Sequence, residues 1–143
     1  MSYFAVGLHS PKTSNNIGAA LRACGVFGAA LLTVSGRRYK GSLTDVWKQH
    51  KHTPLIQCAN LMGMTPYDCV PVGVDLVDGA CPLPEYKHPE RAYYIFGPED
   101  GTLGHKVLDK CRDVIYIPSP GPCLNLAAAV SVVLYSRQTQ LAY

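Results

Sequence analysis

The sequence lacks any long apolar segment, since no run of nonpolar residues approaches the roughly 20 that a membrane-spanning helix requires. Its first residues, MSYFAVGLHSPK, contain neither a basic start nor an apolar stretch long enough for a secretory signal peptide. From these two absences we expect a soluble, cytoplasmic protein that does not bind membranes.

Charge is also scarce. Charged residues make up 16% of the 143 residues, and 13 Lys and Arg against 10 Asp and Glu leave a formal net charge of +3. Because 48% of the residues are hydrophobic, the composition excludes an intrinsically disordered chain, which needs low hydrophobicity and high net charge. The length suits one hydrophobic core, so we expect a single domain over residues 1–143.

Closely spaced cysteines are missing as well. The chain has six cysteines but no C-x-x-C pair, so the spacing does not predict a zinc site. A domain of this size can be stabilised by burial alone, and we expect the thiols to be reduced. His50 and His52, with Cys58 nearby, form the only other metal-like cluster. Without carboxylates this cluster favours a solvated basic segment, and we expect no metal.

Short β-rich runs alternate with helical patterns, which predicts an α/β fold with a mainly parallel, six-stranded sheet and helices on both faces. Most of the runs are continuously apolar, as in strands that are covered on both faces. The predicted strands are Tyr3–Leu8, Ala30–Val34, Leu55–Cys58, Cys69–Asp75, Ala92–Phe96 and Val114–Ile117. The predicted helices are Asn16–Gly28, Ser42–Lys51, Ala59–Met64, Gly104–Lys110 and Leu124–Arg137. Three prolines mark Gly79–Glu90 as a loop.

The last predicted helix, Leu124–Arg137, is apolar around nearly its whole circumference. One sheet covers only one stripe of a helix, so the remaining apolar surface needs another partner. A central position in a larger core would also cover it, but an α/β domain of this length has few helices with two covered faces. We therefore expect a homodimer whose interface includes this helix.

Three loops follow predicted strands, at the end of the sheet where parallel α/β domains bind their ligands. These loops are Ser10–Arg22, Phe96–Gly104 and Ile117–Asn125. Taken separately, each loop has a structural explanation. In the first loop, Asn15 or Asn16 could be a helix N-cap and Arg22 a surface arginine. The second loop could be a strand-to-helix turn. The third could be a helix cap beside a buried cysteine.

Together, however, the three loops resemble the motifs of the SpoU/TrmH-like RNA methyltransferases of the SPOUT superfamily. The matching segments are N-x-G-A-x-x-R at Asn16–Arg22, F-G-P-E at Phe96–Glu99, and Ile117-Pro118 followed by Cys123-Leu124-Asn125. Their order, spacing and strand context agree with the family, and the likeness extends from Tyr3 to Arg137. The chain departs from the family at Cys123, where the family usually has serine.

The resemblance implies a SPOUT fold, in which the C-terminal segment is threaded through a loop to form a deep trefoil knot. It also implies S-adenosylmethionine as the cofactor. The residues implied to bind it are Val74, Gly97, Ile117, Cys123 and Leu124. The implied reaction is methyl transfer to a ribose 2′-hydroxyl of RNA, with a tRNA as the leading substrate, at an active site shared between two subunits.

The same resemblance implies catalytic roles for Arg22, Asn16, Glu99 and Asn125. A guanidinium has a reference pKa of about 12.5 or above, so phosphate positioning fits Arg22 better than general-base catalysis. The neutral amides of Asn16 and Asn125 would fix the ribose and the loop geometry. Glu99 would orient Arg22 or the loop around it.

The region from Arg37 to His52 combines basic residues with aromatic rings. Its two segments are Arg37-Arg38-Tyr39-Lys40 and Trp47-Lys48-Gln49-His50-Lys51-His52. Positive charge for phosphates, interleaved with rings for base stacking, is what an RNA surface needs. A solvated face explains the same pattern equally well. We expect RNA contacts from Arg37, Arg38, Lys48 and Lys51.

Two other functions stay open on the sequence alone. Cys123, at the start of a helix, could be the nucleophile of a small-molecule hydrolase, although no histidine lies in a loop plainly facing it. Alternatively, the chain could be a catalytically idle RNA-binding module of the same fold. Neither function requires S-adenosylmethionine, so binding of that cofactor separates both from a methyltransferase.

Overall fold

The computed structural model describes residues 2–39 and 48–141 as a parallel sheet with helices on both faces. The strands are β1 (Tyr3–Leu8), β2 (Leu32–Ser35), β3 (Leu55–Cys58), β4 (Val70–Val74), β5 (Cys81–Pro82), β6 (Arg91–Phe96) and β7 (Asp113–Tyr116). The helices are α1 (Ser14–Phe27), α2 (His105–Leu108) and α3 (Leu126–Leu141), with single 3-10 turns at Gln49–Lys51, Met62–Met64 and Leu83–Glu85. The α/β class that the sequence predicts is confirmed.

The strands lie in the order β3-β2-β1-β6-β4-β7-β5, and every strand pairing in the described residues is parallel. All strands therefore point the same way. We call the end at which they finish the carboxyl end of the sheet, and the end at which they start the amino end. The carboxyl end is formed by Leu8, Ser35, Cys58, Val74, Pro82, Phe96 and Tyr116.

The sheet has seven strands, and the prediction of six is wrong by one. The additional strand, β5, lies inside the segment Gly79–Glu90 that the prolines mark as a loop. It contains two residues and pairs with β7 alone, at the edge of the sheet. An edge position tolerates Pro82 because one side of the strand has no ladder partner, so the missing N–H costs little.

Two of the predicted helices are longer than the helices in the structure, and a third lies partly outside the described residues. Gly104–Lys110 is reduced to α2, and Ala59–Met64 to the 3-10 turn Met62–Met64. Of the predicted helix Ser42–Lys51, residues 42–47 lie outside the described residues, and the remainder contains the 3-10 turn Gln49–Lys51. The sequence patterns that predicted these helices are short and have few apolar positions, so tertiary context decides their length.

Both faces of the sheet carry a core, and the side chains of β1 and β6 alternate between the two. Val6, Leu8, Tyr94 and Phe96 pack against α1 and α3 on one face. On the other face Ala5, Tyr93 and Ile95 pack against α2 and the turn at Met62–Met64. Successive strand residues point to opposite faces, so a strand that is apolar at every position is buried on both.

The residue that caps the start of helix α1 is Thr13 and not an asparagine. The Thr13 Oγ1 accepts a hydrogen bond from the backbone N–H of Asn16 (3.3 Å), which is the N-cap arrangement. The helix ends at Gly28, whose φ of 82° allows its N–H to bond to the Cys24 carbonyl. Because Thr13 caps the helix, the side-chain amide of Asn16 is available for other contacts.

Helix α3 has one covered face and one open apolar face. Leu126, Val130 and Val133 are buried in the core of their own chain. On the other side, Val132 is 38% exposed and Tyr135 is 58% exposed. The sheet thus covers a single stripe of this helix, as expected, while the homodimer and the trefoil knot stay predictions.

Among the helices of the described residues, none is long and apolar enough to cross a membrane.

A buried polar cluster joins α3 to the amino end of the sheet. The Arg137 guanidinium, only 2% exposed, donates to the carbonyls of Pro89 (2.6 Å) and Glu90 (2.7 Å) and to the Tyr94 hydroxyl (3.1 Å). His88 lies between the Tyr94 hydroxyl (2.7 Å) and the Ser136 hydroxyl (3.0 Å). We call Arg137, His88, Tyr94 and Ser136 the Arg137 cluster.

Burial sets the charge state of His88. The imidazole is 4% exposed, and its burial, assisted by the positive charge of Arg137, lowers the pKa of His88 to about 4. The side chain is therefore neutral at physiological pH, and its two ring nitrogens serve as one donor and one acceptor between the two hydroxyls.

Candidate active site

A cavity of about 370 Å³ opens at the carboxyl end of the sheet, where β4, β6 and β7 finish. Its volume lies within the range of roughly 300 to 1,000 Å³ that is typical of small-molecule sites. The five residues that the family resemblance implies for cofactor binding all line it. They are Val74, Gly97, Ile117, Cys123 and Leu124.

The cavity wall is mainly apolar, with acidic groups at two points. Phe96, Leu76 and Leu126 add to the apolar lining, and Asp75 and Glu99 supply the carboxylates. A mainly apolar wall with a few placed polar groups is the usual composition of a site for a small organic molecule. Asp75 and Leu76 are absent from the predicted site, although they directly follow the strand that ends at Val74. The rule that ligands bind beyond the carboxyl ends of strands would have found them.

The loop after β6 folds back tightly on itself beside the cavity. The backbone N–H of Leu103 donates to an Asp75 carboxylate oxygen (3.0 Å). This bond fixes the end of the loop that leads into α2. A β-carbon on Gly97 would lie 3.2 Å from the Leu103 backbone nitrogen. A side chain at position 97 would crowd this backbone, so the tight loop favours the glycine in the F-G-P-E segment.

The carboxylate of Glu99 links this loop to the one that follows β1. It accepts hydrogen bonds from the backbone N–H groups of Lys12 (2.8 Å) and Thr13 (3.3 Å) and from the side-chain amide of Asn16 (2.7 Å). The Thr13 hydroxyl lies 3.4 Å away. Glu99 thus holds the loop at the start of α1, while its implied role beside Arg22 stays a prediction.

Asn16 in turn reaches the third loop. Its Oδ1 accepts from the Nδ2 of Asn125 (2.9 Å), and the Oδ1 of Asn125 accepts from the backbone N–H of Ala128 (3.1 Å) in the first turn of α3. A carboxylate can only accept and a backbone N–H can only donate, so both amides have a single allowed orientation. We call Glu99, Asn16 and Asn125 the Glu99 network; it unites all three motif loops.

The hydrogen bonds keep Glu99 ionised. Partial burial alone would raise the pKa of Glu99, but the bonds from the Asn16 amide and from the Lys12 and Thr13 backbone outweigh it, and the net effect is a lowered pKa. A carboxylate with a lowered pKa is a weak base. Glu99 is therefore suited to holding loops and poorly suited to removing a proton.

Arg22 lies apart from the Glu99 network within one chain. It is an exposed residue of α1, six positions after Asn16 and so about 9 Å further along the helix axis. It does not line the cavity. Four positions later, on the same side of the helix, Val26 is 67% exposed.

The four basic residues predicted to bind RNA fall into two groups. Arg37 and Arg38 follow the carboxyl end of β2. Lys48 and Lys51 flank Gln49, whose side chain packs against Gly25 in the last turns of α1. Because α1 runs back from the carboxyl end toward the amino end, these lysines lie away from the cavity. Lys40 and Trp47 lie outside the described residues.

Arg38 differs from Arg37 in its contacts. Its guanidinium donates to both carboxylate oxygens of Asp100 (2.8 and 3.0 Å) and to the Ser10 carbonyl (2.9 Å). The bonds from Arg38 lower the pKa of Asp100. Charge composition alone assigns Arg38 to an RNA surface, whereas the structure pairs it with an acid beside Glu99.

Cys123 is an exposed residue at the rim of the cavity. No histidine lines the cavity with it, so the described part of the chain supplies no imidazole base at that wall.

Comparison with known sequences identifies a family. Residues 3–135 match the profile of the SpoU rRNA Methylase family. No curated protein matches the chain at a significant level.

Solved structures share the fold. One, described as giving structural insights into the 2-OH methylation of C/U34 on tRNA, is 25% identical with a TM-score of 0.84, over 99% of this chain and 97% of that one. The TrmH/SpoU tRNA modifying enzyme of A. aeolicus is 20% identical with a TM-score of 0.84, over 98% of this chain and 76% of that one. AviRb of Streptomyces viridochromogenes, in complex with AdoMet, is 22% identical with a TM-score of 0.85. That match covers 97% of this chain and 58% of the AviRb chain.

Proposed function

The chain belongs to the SpoU rRNA Methylase family, and we propose that it methylates a ribose 2′-hydroxyl of a tRNA with S-adenosylmethionine as methyl donor. One observation carries the proposal: the Glu99 network joins the three motif loops at the rim of a cavity lined by all five implied cofactor residues. The tRNA is favoured because the 25% identical structure concerns tRNA 2-OH methylation and is matched over nearly its whole length.

The cavity suits the cofactor that this family uses. Apolar side chains at Leu76, Ile117 and Leu124 would enclose an adenine ring, and the backbone of the loops after β6 and β7 offers hydrogen-bonding groups. When bound, S-adenosylmethionine supplies a methyl group already activated by the positive charge on its sulfur.

The Glu99 network would position the ribose. After the bonds described above, the Nδ2 of Asn16 and the Nδ2 of Asn125 each keep one N–H for another acceptor. Held in one orientation, these donors can fix ribose or phosphate oxygens beside the cavity. Such alignment can lower a barrier by roughly 7 to 11 kcal/mol in favourable cases.

Arg22 would bind the phosphate next to the reacting ribose. A guanidinium is a planar, permanently charged group that grips phosphate with two hydrogen bonds and loses its proton with great difficulty. Because Arg22 does not line the cavity of its own chain, we infer that it completes the active site of a second subunit.

A homodimer would bring Arg22 to that position. The open apolar side chains Val132 and Tyr135 on α3 and Val26 on α1 form the surface that a second copy would cover, with Arg22 on the same side of α1. Val133 is fully buried in its own chain, so Val132→Glu is the informative substitution. Light scattering should show a folded monomer for Val132→Glu, whereas a variant that stays dimeric would place the interface elsewhere.

For the RNA surface we propose Arg37, which follows the carboxyl end of β2, with Lys48 and Lys51 contacting a different part of the tRNA. The triple alanine variant should weaken RNA binding and flatten its log–log salt dependence by roughly one unit for each phosphate that the variant no longer binds. Affinity for S-adenosylmethionine should stay unchanged. An unchanged salt slope would show that RNA binds another face.

The function itself is tested with labelled S-adenosylmethionine, tRNA transcripts and ribosomal RNA fragments, followed by nuclease digestion and mass spectrometry. We expect a 2′-O-methylated nucleoside from tRNA. Arg22→Ala should abolish it while calorimetry shows unchanged cofactor binding, and Arg22→Lys should restore little activity because it lacks the guanidinium fork. A methylated base would overturn the ribose assignment, and cofactor binding without transfer to any RNA would favour an idle module.

A further inference from the structure

The guanidinium of Arg38 joins two loops of the active site. On one side it forms a two-pronged pair with Asp100, from Nη2 to Oδ1 (2.8 Å) and from Nη1 to Oδ2 (3.0 Å). On the other side Nη2 and Nε donate to the carbonyl oxygen of Ser10 (2.9 and 3.3 Å). Arginine is the one side chain whose planar fork can satisfy a carboxylate and a carbonyl together.

Ser10 has an unusual backbone that its neighbours hold in place. Its φ of 49° is in the left-handed region, which residues other than glycine rarely adopt. The Ser10 N–H donates to the Ser35 carbonyl (3.1 Å). A β-carbon on Gly36 would lie 2.7 Å from the Ser10 hydroxyl, so Gly36 permits this close approach. The residues that follow β2 therefore fix the turn that leads into the first motif loop.

Both ends of the Arg38 contact lie next to the Glu99 network. Ser10 precedes Lys12 and Thr13, whose backbone N–H groups donate to Glu99. Asp100 directly follows Glu99 in the chain. Arg38 thus contacts the loop after β1 at Ser10 and the loop after β6 at Asp100. Both contacts are close in sequence to the hydrogen bonds that Glu99 accepts.

Resting on the proposed function, we propose that Arg38 is a positioning residue for methyl transfer, which holds the loops after β1 and β6 in register through Ser10 and Asp100, and that it does not bind RNA phosphate. Asp100 neutralises its charge, and the contacts with Asp100 and Ser10 use four of its five N–H groups. Without Arg38 the two loops separate, and the donors to Glu99 move away from it.

The two roles for Arg38 predict opposite results for Asp100→Asn. If Arg38 were an RNA ligand restrained by Asp100, removal of the acid would free it and tighten RNA binding. If Arg38 positions the loops, Asp100→Asn should lower kcat by about 10- to 100-fold, since small misplacements at an active site have effects of this size. Arg38→Gln and the double variant should show the same decrease as Asp100→Asn, because all three break one interaction.

Arg38→Lys sharpens the test, because it keeps the charge and removes the fork. We expect it to lower kcat nearly as much as Arg38→Gln, with an unchanged salt slope of RNA binding. Arg112→Gln is the matched control: it removes an exposed arginine paired with Asp113 (3.0 Å) at the amino end of the sheet and should leave kcat and the salt slope unchanged. A flattened salt slope for Arg38→Gln with unchanged kcat would overturn the proposal.

A second measurement does not depend on the reaction. Amide hydrogen exchange at Lys12 and Thr13, whose N–H groups bond to Glu99, should accelerate about tenfold or more in Arg38→Gln and Asp100→Asn and stay unchanged in Arg112→Gln. If the wild-type protein methylates no RNA, the proposed function fails, while faster exchange still supports the loop-holding role. Unchanged exchange together with unchanged kcat would overturn that role in an active enzyme.

Discussion

The two ends of the sheet carry polar networks of similar size but opposite character. At the amino end the Arg137 cluster is buried: Tyr94 is 0% exposed, and its hydroxyl, the His88 imidazole and the Arg137 guanidinium bond to protein groups. At the carboxyl end the Glu99 network is open to solvent, and both asparagines keep N–H groups for another partner. The polar groups of the Arg137 cluster bond to one another and to the protein backbone, whereas the Glu99 network keeps donors that could bind a ligand.

The comparison separates the stability of the fold from its chemistry. In the described residues, no buried side-chain nitrogen or oxygen lacks a hydrogen-bond partner, so the buried cluster cannot lose a member without leaving an unsatisfied group. An exposed network can lose a member to water at little cost to stability. Substitutions at the amino end should therefore change the free energy of unfolding, and those at the carboxyl end should change activity.

The largest effect is expected for Arg137→Met. Removal of the guanidinium, which is 2% exposed, breaks its hydrogen bonds to the carbonyls of Pro89 and Glu90 and to the hydroxyls of Tyr94 and Ser2, which should lower the free energy of unfolding by about 3 kcal/mol. Chemical denaturation measures the change, with Arg112→Met as an exposed control that should stay within about 0.5 kcal/mol. A stability equal to that of the wild type would show that the cluster does not hold α3 to the sheet.

Next in size is Glu99→Gln. The amide keeps the shape of the side chain but presents an N–H to donors, so the bonds from Lys12, Thr13 and Asn16 cannot all persist. We expect methyl transfer to fall about 100-fold, while the free energy of unfolding changes by about 1 kcal/mol or less. Comparable decreases in stability in Glu99→Gln and Arg137→Met would remove the distinction between the two ends.

Acidification should destabilise the Arg137 cluster through His88. The pKa of His88 is about 4 in the folded protein against an ordinary value of 6.5, so between these values only the unfolded chain takes up the proton. Stability should therefore be greatest above about pH 6.5 and fall as the pH drops toward 4. The lowered pKa of Glu99 means that this carboxylate holds its charge to lower pH than an ordinary glutamate does.

His88→Gln tests this pH dependence by comparing denaturation at several pH values. The variant is less stable at neutral pH, because Gln reproduces the imidazole contacts poorly, but its stability should depend less on pH between 6.5 and 4. Part of the dependence should remain, since burial also lowers the pKa of His9. An unchanged pH profile in His88→Gln would contradict the assignment to His88.

The smallest effect is expected for Cys123→Ser. The thiol lines the cavity without a histidine beside it, so we expect it to fill space while the backbone makes the contacts. Activity should stay within about tenfold, or roughly 1.4 kcal/mol in the barrier. Bound S-adenosylmethionine should slow alkylation of the wild-type thiol. A dead serine variant, with a covalent adduct on wild-type Cys123 by intact mass, would favour the nucleophilic hydrolase.

The sequence predicts much of the carboxyl end because its signals are local. Strand ends, the loops that follow them and the three motifs are all visible along the chain, and the cavity is lined by the residues implied from them. Contacts between distant residues are not visible in this way. Arg38 and Asp100 are separated by 62 positions, and nothing in the charge pattern pairs them.

The amino end illustrates the same limit. Arg137 stands at the end of an apolar helix pattern and looks like a solvated terminal residue, yet it is buried on the aromatic rings of β1 and β6. Its side chain is long enough to reach the carbonyls at the start of β6, which no periodicity reveals. The open apolar face of α3 is predictable, because an all-round apolar helix cannot be covered by one sheet.

The Glu99 network also has a consequence for biosynthesis. Its bonds connect residues near position 16 with residues near 99 and 125, and the contact between the two asparagines spans 109 positions. Contacts of such long range form late, because most of the chain must be ordered before they are favourable. A nascent chain would thus have strands β1 to β6 available for pairing well before Asn125 leaves the ribosome. The Glu99 network is therefore complete only after Asn125 has left the ribosome.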